Sequence, residues 1–450
     1  MADETTDPFS TEDSASHRPA LRGGNPCEKL RPDRPLDLFG VVNIALCSNP
    51  QTREVWANSR AQAAQVGVSE ANYLPSVDAS ITHNRNSPGI AQRSIGVSLS
   101  YLLYDFGARA ANLENARQLL VAVNATQDST VQSLFLGAVQ AYYQVRATQA
   151  ALDASVVSEK AASESFAAAN ARYMAGSATP ADKLASQTAY SQATLARITA
   201  EGAVKIAQGN LSNLMGQDAN LGVRLVEAGS DAPVLSITRF EQNVATLIDQ
   251  AKKSRPDLLS AQAQVMAANA AADAARAAAK PTLSMTASSN QSSGAGITTQ
   301  GSTIGLSVTA PLFAGYAPTY RIRAAEAQIE TKQAQLDRIR LQVALDVWTA
   351  YQNLVTAMQN RRATVDLLDS ALQSERMARG RYKAGAGILL DLLNAQTALA
   401  SARQQRIQAE LNWNISRATL AQAMGTLDAD ALQALPDDAT NARQPMNTIQ

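Results

Sequence analysis

Asp182 and Asp391 stand at matching places in two copies of one motif. RYMAGSATPADKLASQTA begins at Arg172 and RYKAGAGILLDLLNAQTA begins at Arg381, 209 positions later, with nine of eighteen residues identical. A carboxylate just past a turn glycine, within the first two turns of a helix, is favoured by the positive helix end. It can also pair across a coil or face a narrow passage, a use that gains weight because both copies keep it. Arg172 and Arg381 read either as solvated charges near helix C-termini or as contacts for a partner.

Other chemistry is scarce. The only histidines are His17, in a polar tail, and His83, in an expected hairpin loop; neither belongs to a Glu-x-x-His pair, which weighs against a di-iron bundle. There is no GxxxxGK[ST] and no GxGxxG, and Gly294 to Gly296 read as loop glycines. No enzyme, metal or cofactor is therefore expected, and energy would have to come from a partner. Cys27 and Cys47 read as a disulfide in an oxidising compartment or as two unrelated buried thiols. Thirty-nine basic residues balance thirty-nine acidic ones with no basic, aromatic-laced stripe, so nucleic acid is excluded as a partner.

The elements that position the motif also come twice. Pro50 and Pro256 open alanine-rich helical stretches that end at Pro75 and Pro281. SIGVSLSYLLYDFG from Ser94 matches TIGLSVTAPLFAG from Thr303. Strands are expected at about 75–84, 93–105, 281–290 and 301–313, with Val77, Ala79 and Ile81 alternating against Ser76, Asp78, Ser80 and Thr82. HNRNSPGIAQR and NQSSGAGITTQG are expected to be the hairpin loops. Tyr73, Tyr101, Tyr104 and Phe106 gather at the helix-side ends of the first pair, and Phe313, Tyr316 and Tyr320 after the second. This is an interfacial belt or ordinary junction packing.

Stretches without proline after residue 108 and after residue 318 predict helices at about 108–172 and 318–381, each roughly 95 Å at 1.5 Å per residue. Each ends in a tip turn, 172–180 or 381–388, and reverses into a shorter helix. The domain reading is a polar segment 1–35, repeats 36–240 and 241–427, and a tail 428–450 expected to be disordered. The polar N-terminus has no apolar core, so no secretory signal is legible in it. Aromatics at 5% and charged residues at 17% fit a thin bundle of alanine-rich helices.

Strands of this length and pattern suit a tilted membrane barrel, but four cannot close one, and open edges are not tolerated in lipid. Three copies would supply twelve strands, with the polar faces lining a water-filled pore. The fold expected is mainly α with a small β-barrel.

The ordered set resembles the TolC-type outer membrane efflux protein family over roughly Leu36 to Leu427. The carriers are Asn49-Pro50 to Leu74-Pro75, YDFG, FAG and the doubled RYxAG…D…L…QT. ALCSNPQTREVWANSRAQAAQVGVSEANYLPS, with a second cysteine upstream, looks like the type I protein secretion branch, which includes the outer membrane component of an adenylate cyclase-haemolysin exporter. The resemblance implies a homotrimer in outer membrane lipid, with a twelve-stranded barrel above a long periplasmic α-barrel. It implies tip turns at Arg172, Tyr173, Gly176, Arg381, Tyr382 and Gly385 that meet a periplasmic adaptor. Beyond the adaptor it implies an inner-membrane ABC exporter and a secreted polypeptide substrate.

Tyr382 and Asp182 match family residues that hold neighbouring coils together, and Asp391 matches an acidic ring at the constriction. Gly387 stands where the family often has an arginine, and Asn394 at a second acidic position, which implies a weaker latch and cation preference. Multidrug efflux is the alternative within the family, and a soluble coiled-coil scaffold the alternative outside it. Cell fractionation separates these: a channel is recovered in membranes as a detergent-dependent trimer, and recovery in the cytosol without one refutes it.

Overall fold

The computed structural model describes residues 7–11, 35–86, 90–226 and 244–427. Cys27, His17 and the segment 428–450 lie outside these. In chain order the elements are α1 (Leu38–Ser48), α2 (Pro50–Ala71), β1 (Ser76–Asn86), β2 (Ile90–Tyr104), α3 (Ala108–Met174) and α4 (Pro180–Leu214), then α5 (Val244–Ser254), α6 (Pro256–Ala277), β3 (Thr282–Gly294), β4 (Ile297–Thr309), α7 (Ala317–Lys383) and α8 (Leu389–Ala423). Corresponding elements of the two halves match to the residue: α2 and α6 have 22 residues, α3 and α7 have 67, and α4 and α8 have 35. Pro50 and Pro256 each occupy the first helical position, where the missing N–H costs nothing.

The chain forms two compact units. One comprises Met1–Arg18, Glu54–Ser129 and Pro256–Leu341; the other comprises Pro19–Arg53, Thr130–Arg255 and Gln342–Gln450. Each draws on both sequence repeats.

In the first unit the four strands form one antiparallel sheet in the order β1-β2-β3-β4. Residues directly opposite one another share a face, so the register sorts the side chains. One face carries Val77–Leu99–Ala287–Ile304, then Ala79–Val97 and Ile81–Ile95 toward the hairpin turns. The other carries Ser76–Ser100–Thr286–Gly305, Asp78–Ser98–Ser288–Thr303 and Thr82–Ser94–Ser292–Thr299. The apolar face is uncovered: Ile81 and Ile304 are each 80% exposed. Strands β1 and β4 each have a free edge among the described residues.

The strands run further into the turns than the alternation predicts. His83, expected in a loop, pairs with Arg93 inside the β1–β2 ladder, and β3 and β4 meet across Ala295 and Gly296. Both turn residues have positive φ, 51° and 82°, as a two-residue hairpin turn requires. Ser, Thr and Gln at these ends supply no period-two signal, yet the backbone ladder continues regardless of side chain. At the other end β4 stops at Thr309, short of the expected 313, because Pro311 has no N–H to donate. Ala63, Val66, Ala116 and Leu120 pack α2 on α3 within this unit.

The second unit holds the largest core. Leu38, Val41 and Ala45 of α1 pack on Phe135, Val139 and Tyr142 of α3 and on Leu211 at the end of α4. Leu36 donates to Arg224 O (2.9 Å) and accepts from Val226 N (3.1 Å). The connecting segments near Leu36, Val223 and Leu427 thus join one core. The α4 and α8 C-termini each press a glycine against the residues that precede a repeat's first proline. Gly216 lies on Ser48 and Asn49, and Gly425 on Ser254 and Arg255; both have positive φ, so neither place admits a side chain.

Among the described residues no helix is long and apolar enough to cross a membrane. The sheet carries an uncovered apolar face of spanning length. Ile304→Lys should therefore disfavour membrane insertion by about 2–4 kcal/mol, while Thr303→Lys, on the hydroxyl face, should insert nearly as the parent does. Urea-dependent folding into lipid vesicles measures both.

Candidate functional site

Both tip turns belong to the second unit and share one backbone. Ser177 N donates to Arg172 O (2.9 Å), and Ala386 N to Arg381 O (2.9 Å). Gly176 and Gly385 take φ of 73° and 74°, the left-handed conformation that ends α3 and α7.

The following helix starts diverge. At the first tip Thr179 caps α4: its hydroxyl accepts from Asp182 N (3.2 Å), while the Asp182 carboxylate accepts from Thr179 N (3.0 Å) and Thr179 Oγ1 (2.7 Å). The Thr179 hydroxyl and amide hold the Asp182 carboxyl below its ordinary value. A depressed folded-state pKa means that this stabilisation is present at neutral pH and is lost as pH falls through the folded value. Within one chain, then, Asp182 is bonded to its own helix end.

At the second tip Ile388 caps α8 without a side-chain bond. Asp391 and Asn394 lie exposed one turn apart, and Asp391 has no hydrogen bond or ion pair among the described residues. A Cβ on Gly387 would meet Arg381 Cβ at 3.1 Å and Tyr382 N at 3.3 Å, so a larger side chain there would crowd this turn.

The two tips are tied to each other. Arg172 Nη2 donates to Tyr382 O (2.7 Å), and the Arg172 guanidinium lies 4.2 Å from the centre of the Tyr382 ring. Tyr382 is 6% exposed and seated on Ala169, Leu389 and Leu392. Its counterpart Tyr173 is only partly buried and carries Lys183 over its ring at 5.2 Å. Gln396 Nε2 donates to Ser165 Oγ (3.0 Å), adding a second link between α3 and the following repeat. Arg381 is exposed. Beside the ties, a cavity of about 700 Å³ runs between α3, α4, α7 and α8, lined by alanines such as Ala154 and Ala193 and by polar side chains such as Gln192, Glu375, Arg379 and Arg403.

At the strand-to-helix junctions Tyr104 stacks edge-on to Phe106 (4.8 Å) and Phe313 to Tyr316 (5.7 Å). Phe313 is 78% exposed, and Tyr101 is half-buried. Phe106 and Tyr316 both have positive φ, uncommon for aromatic residues. Sequence reading missed the device at the first junction. Buried Asp105 accepts from Gly107 N (3.2 Å), Arg109 N (2.8 Å) and Arg109 Nε (3.1 Å), and Arg109 lies over Tyr73 at 4.9 Å. An acid and a base four apart astride a helix start are the signal that marks it. Cys47 is disulfide-bonded, and Cys27 lies outside the described residues. No cluster able to hold a metal ion occurs among the described residues.

A sheet with one apolar and one hydroxyl face and two free edges, joined to long helices, suits one segment of a membrane β-barrel. The chain belongs to the outer membrane efflux protein family, whose pattern matches residues 41–217 and 247–426. It is 30% identical to protein CyaE of Bordetella pertussis over 414 residues, 89% of this chain and 86% of that one. It is 23% identical to outer membrane protein TolC of Escherichia coli over 429 residues, 89% and 84% of the two chains. The fold matches a membrane protein from Pseudomonas aeruginosa with a TM-score of 0.78 and 23% identity, covering 91% of this chain and 98% of that one. It also matches the open-state MtrE outer membrane channel of Neisseria gonorrhoeae with a TM-score of 0.73 and 24% identity, covering 88% and 90%. The protein is thus an outer membrane protein reaching into the periplasm, and the soluble scaffold is set aside.

Arg172→Ala should speed hydrogen exchange across residues 380–388 about tenfold, with Arg172→Lys between it and the parent because an ammonium lacks the planar fork. Thr179→Ala should speed exchange at the first turn of α4 about fivefold. Unchanged exchange would show that these bonds hold nothing.

Proposed function

We propose that the chain is the outer membrane exit channel of a type I secretion system, a homotrimer passing an unfolded polypeptide from an inner-membrane ABC exporter and its periplasmic adaptor. The observation that carries the channel reading is the sheet: three copies close twelve strands, put the apolar rows against lipid and turn the hydroxyl rows to water. The type I branch is supported by the Ala45–Ser76 segment and by the higher identity to CyaE than to E. coli TolC. The efflux reading shares this architecture and is favoured by 25% identity over 406 residues to outer membrane efflux protein BepC of Brucella suis.

The two hairpins suit different places in the trimer. Along α4, Leu184, Leu195, Ile198 and Ile206 are exposed at 61%, 65%, 53% and 67% and fall on one helix face; an apolar stripe of this kind wants a neighbouring copy. Along α8, exposed Asp391, Asn394, Thr397, Ser401, Gln408 and Asn412 share one face. Its single charge type, at the tip end, suits a water-filled passage with an acidic ring at its mouth. The first hairpin is thus scaffold and the second the moving gate, with Tyr382 held by Arg172 where they meet. The tip turns, at Arg172, Tyr173 and Gly176 and at Arg381, Tyr382 and Gly385, are the adaptor-contacting ends. The mechanism is passive: adaptor engagement releases the second tip, its coils move outward, and the polypeptide passes without touching lipid.

Asp391→Ala should lower cation selectivity in planar bilayers, and an unchanged reversal potential removes Asp391 from the constriction. Crosslinking in cells followed by purification should recover an ABC exporter with its adaptor. Recovery of a drug pump alone, with toxin export intact in a deletion strain, would establish the efflux reading.

A further inference from the structure

Three nitrogenous side chains stand just beyond the apolar rows of the sheet. Ile81 and Ile95 are paired across β1 and β2; the next pair on the same face is His83 and Arg93, and Arg85 follows on β1. Two residues of strand advance about 7 Å, so the guanidinium of Arg93 begins one side-chain row past the last apolar pair, at the hairpin-turn end. All three are exposed, and Arg85 and Arg93 make no ion pair or hydrogen bond among the described residues. The hairpin has no acid to offer them: no Asp or Glu occurs between Asp78 and Asp105, and Asp78 faces the hydroxyl side.

Protection of a free edge explains only part of this. Charges on an edge strand discourage unwanted pairing, and β1 is an edge; but Arg93 sits on β2, paired on both sides. On the second hairpin the row level with His83–Arg93 is Ser293–Thr298 and the row level with Ile81–Ile95 is Gln291–Gln300, neither with a charge. The cations therefore belong to one hairpin per copy and recur at every third of a closed barrel.

We propose that His83, Arg85 and Arg93 form a binding surface for the phosphates of an anionic glycolipid in the outer leaflet of the membrane. This rests on the outer membrane reading, in which the helices reach into the periplasm and the hairpin turns therefore lie at the outer face. The position is that of a headgroup: continuous with the lipid-facing rows, on the same face, and one row outside them. Two arginines on neighbouring strands can fork onto phosphate oxygens, and their stems can lie along the apolar surface while the heads stay in the polar layer. Each basic residue near an anionic surface adds attraction.

The test uses the purified full-length protein in neutral detergent, titrated with lipid A, with phosphatidylcholine or with inorganic phosphate, and follows its thermal midpoint. Lipid A should raise the midpoint of the parent, and Arg85→Gln/Arg93→Gln should need at least about tenfold more lipid A for the same rise. Gln291→Ala/Gln300→Ala, on the second hairpin, should behave as the parent does. An equal response of the arginine variant overturns the proposal. A rise with inorganic phosphate that matches lipid A overturns the membrane source, and one with phosphatidylcholine that matches it overturns the charge recognition. Channel conductance of the parent and the arginine variant, measured in parallel, reports on the channel reading separately, because neither arginine faces the hydroxyl side.

Discussion

A β-sheet in hydrocarbon must have no free edge, because an unpaired N–H or C=O there finds no water. Strands β1 and β4 leave two rows of such groups in one chain. The apolar face says that the sheet belongs in lipid, and the edges say that one copy cannot stay there. Assembly is thus a condition of the sheet's own hydrogen bonding, and a barrel completed by neighbours encloses a lumen without any pocket having to be carved. The alanine-rich helices fit this scheme. Their bonding is internal, and they can serve as walls with few bulky side chains.

Duplication gives two hairpins of equal length, and the capping residues set them apart. Thr179, Pro180 and Asp182 lock the first turn of α4 with two reciprocal bonds. Ile388 leaves the matching turn of α8 without one, so that end depends on Tyr382, Leu389 and Leu392 packing on Ala169. A few substitutions at equivalent positions thus produce one turn fixed by its own bonds and one held mainly by its neighbour. The exposed faces differ too: α4 shows Leu184, Leu195, Ile198 and Ile206 among polar residues, and α8 shows Asp391, Asn394, Thr397 and Ser401.

Much of this was legible in the sequence because it is periodic. The doubled proline interval, the strand alternation at Val77, Ala79 and Ile81, and the long proline-free runs each carry a physical signature over many residues. What escaped was local or non-periodic. The polar ends of the hairpins, including His83, extend as strand because backbone pairing continues where side chains give no alternation. Asp182 could be read as a coil partner or a cap, and only the short bonds to Thr179 show which is made within the chain. The link from Arg172 to Tyr382 spans 210 positions and ends on a carbonyl, a group that every residue has and no motif can mark. The Asp105–Arg109 clamp was visible in principle but lay beneath the stronger aromatic pattern around it.

The tie between the tips joins a guanidinium to a carbonyl oxygen and a ring face, with no carboxylate in it. An ion pair in the same place would loosen in acid as its carboxylate took a proton, and would weaken in brine as counter-ions crowded it. This tie has no acid to protonate and little long-range charge attraction to screen. Of the contacts between α3 and the second tip, the Arg379–Glu164 pair at 3.9 Å is the one that responds to acid and salt.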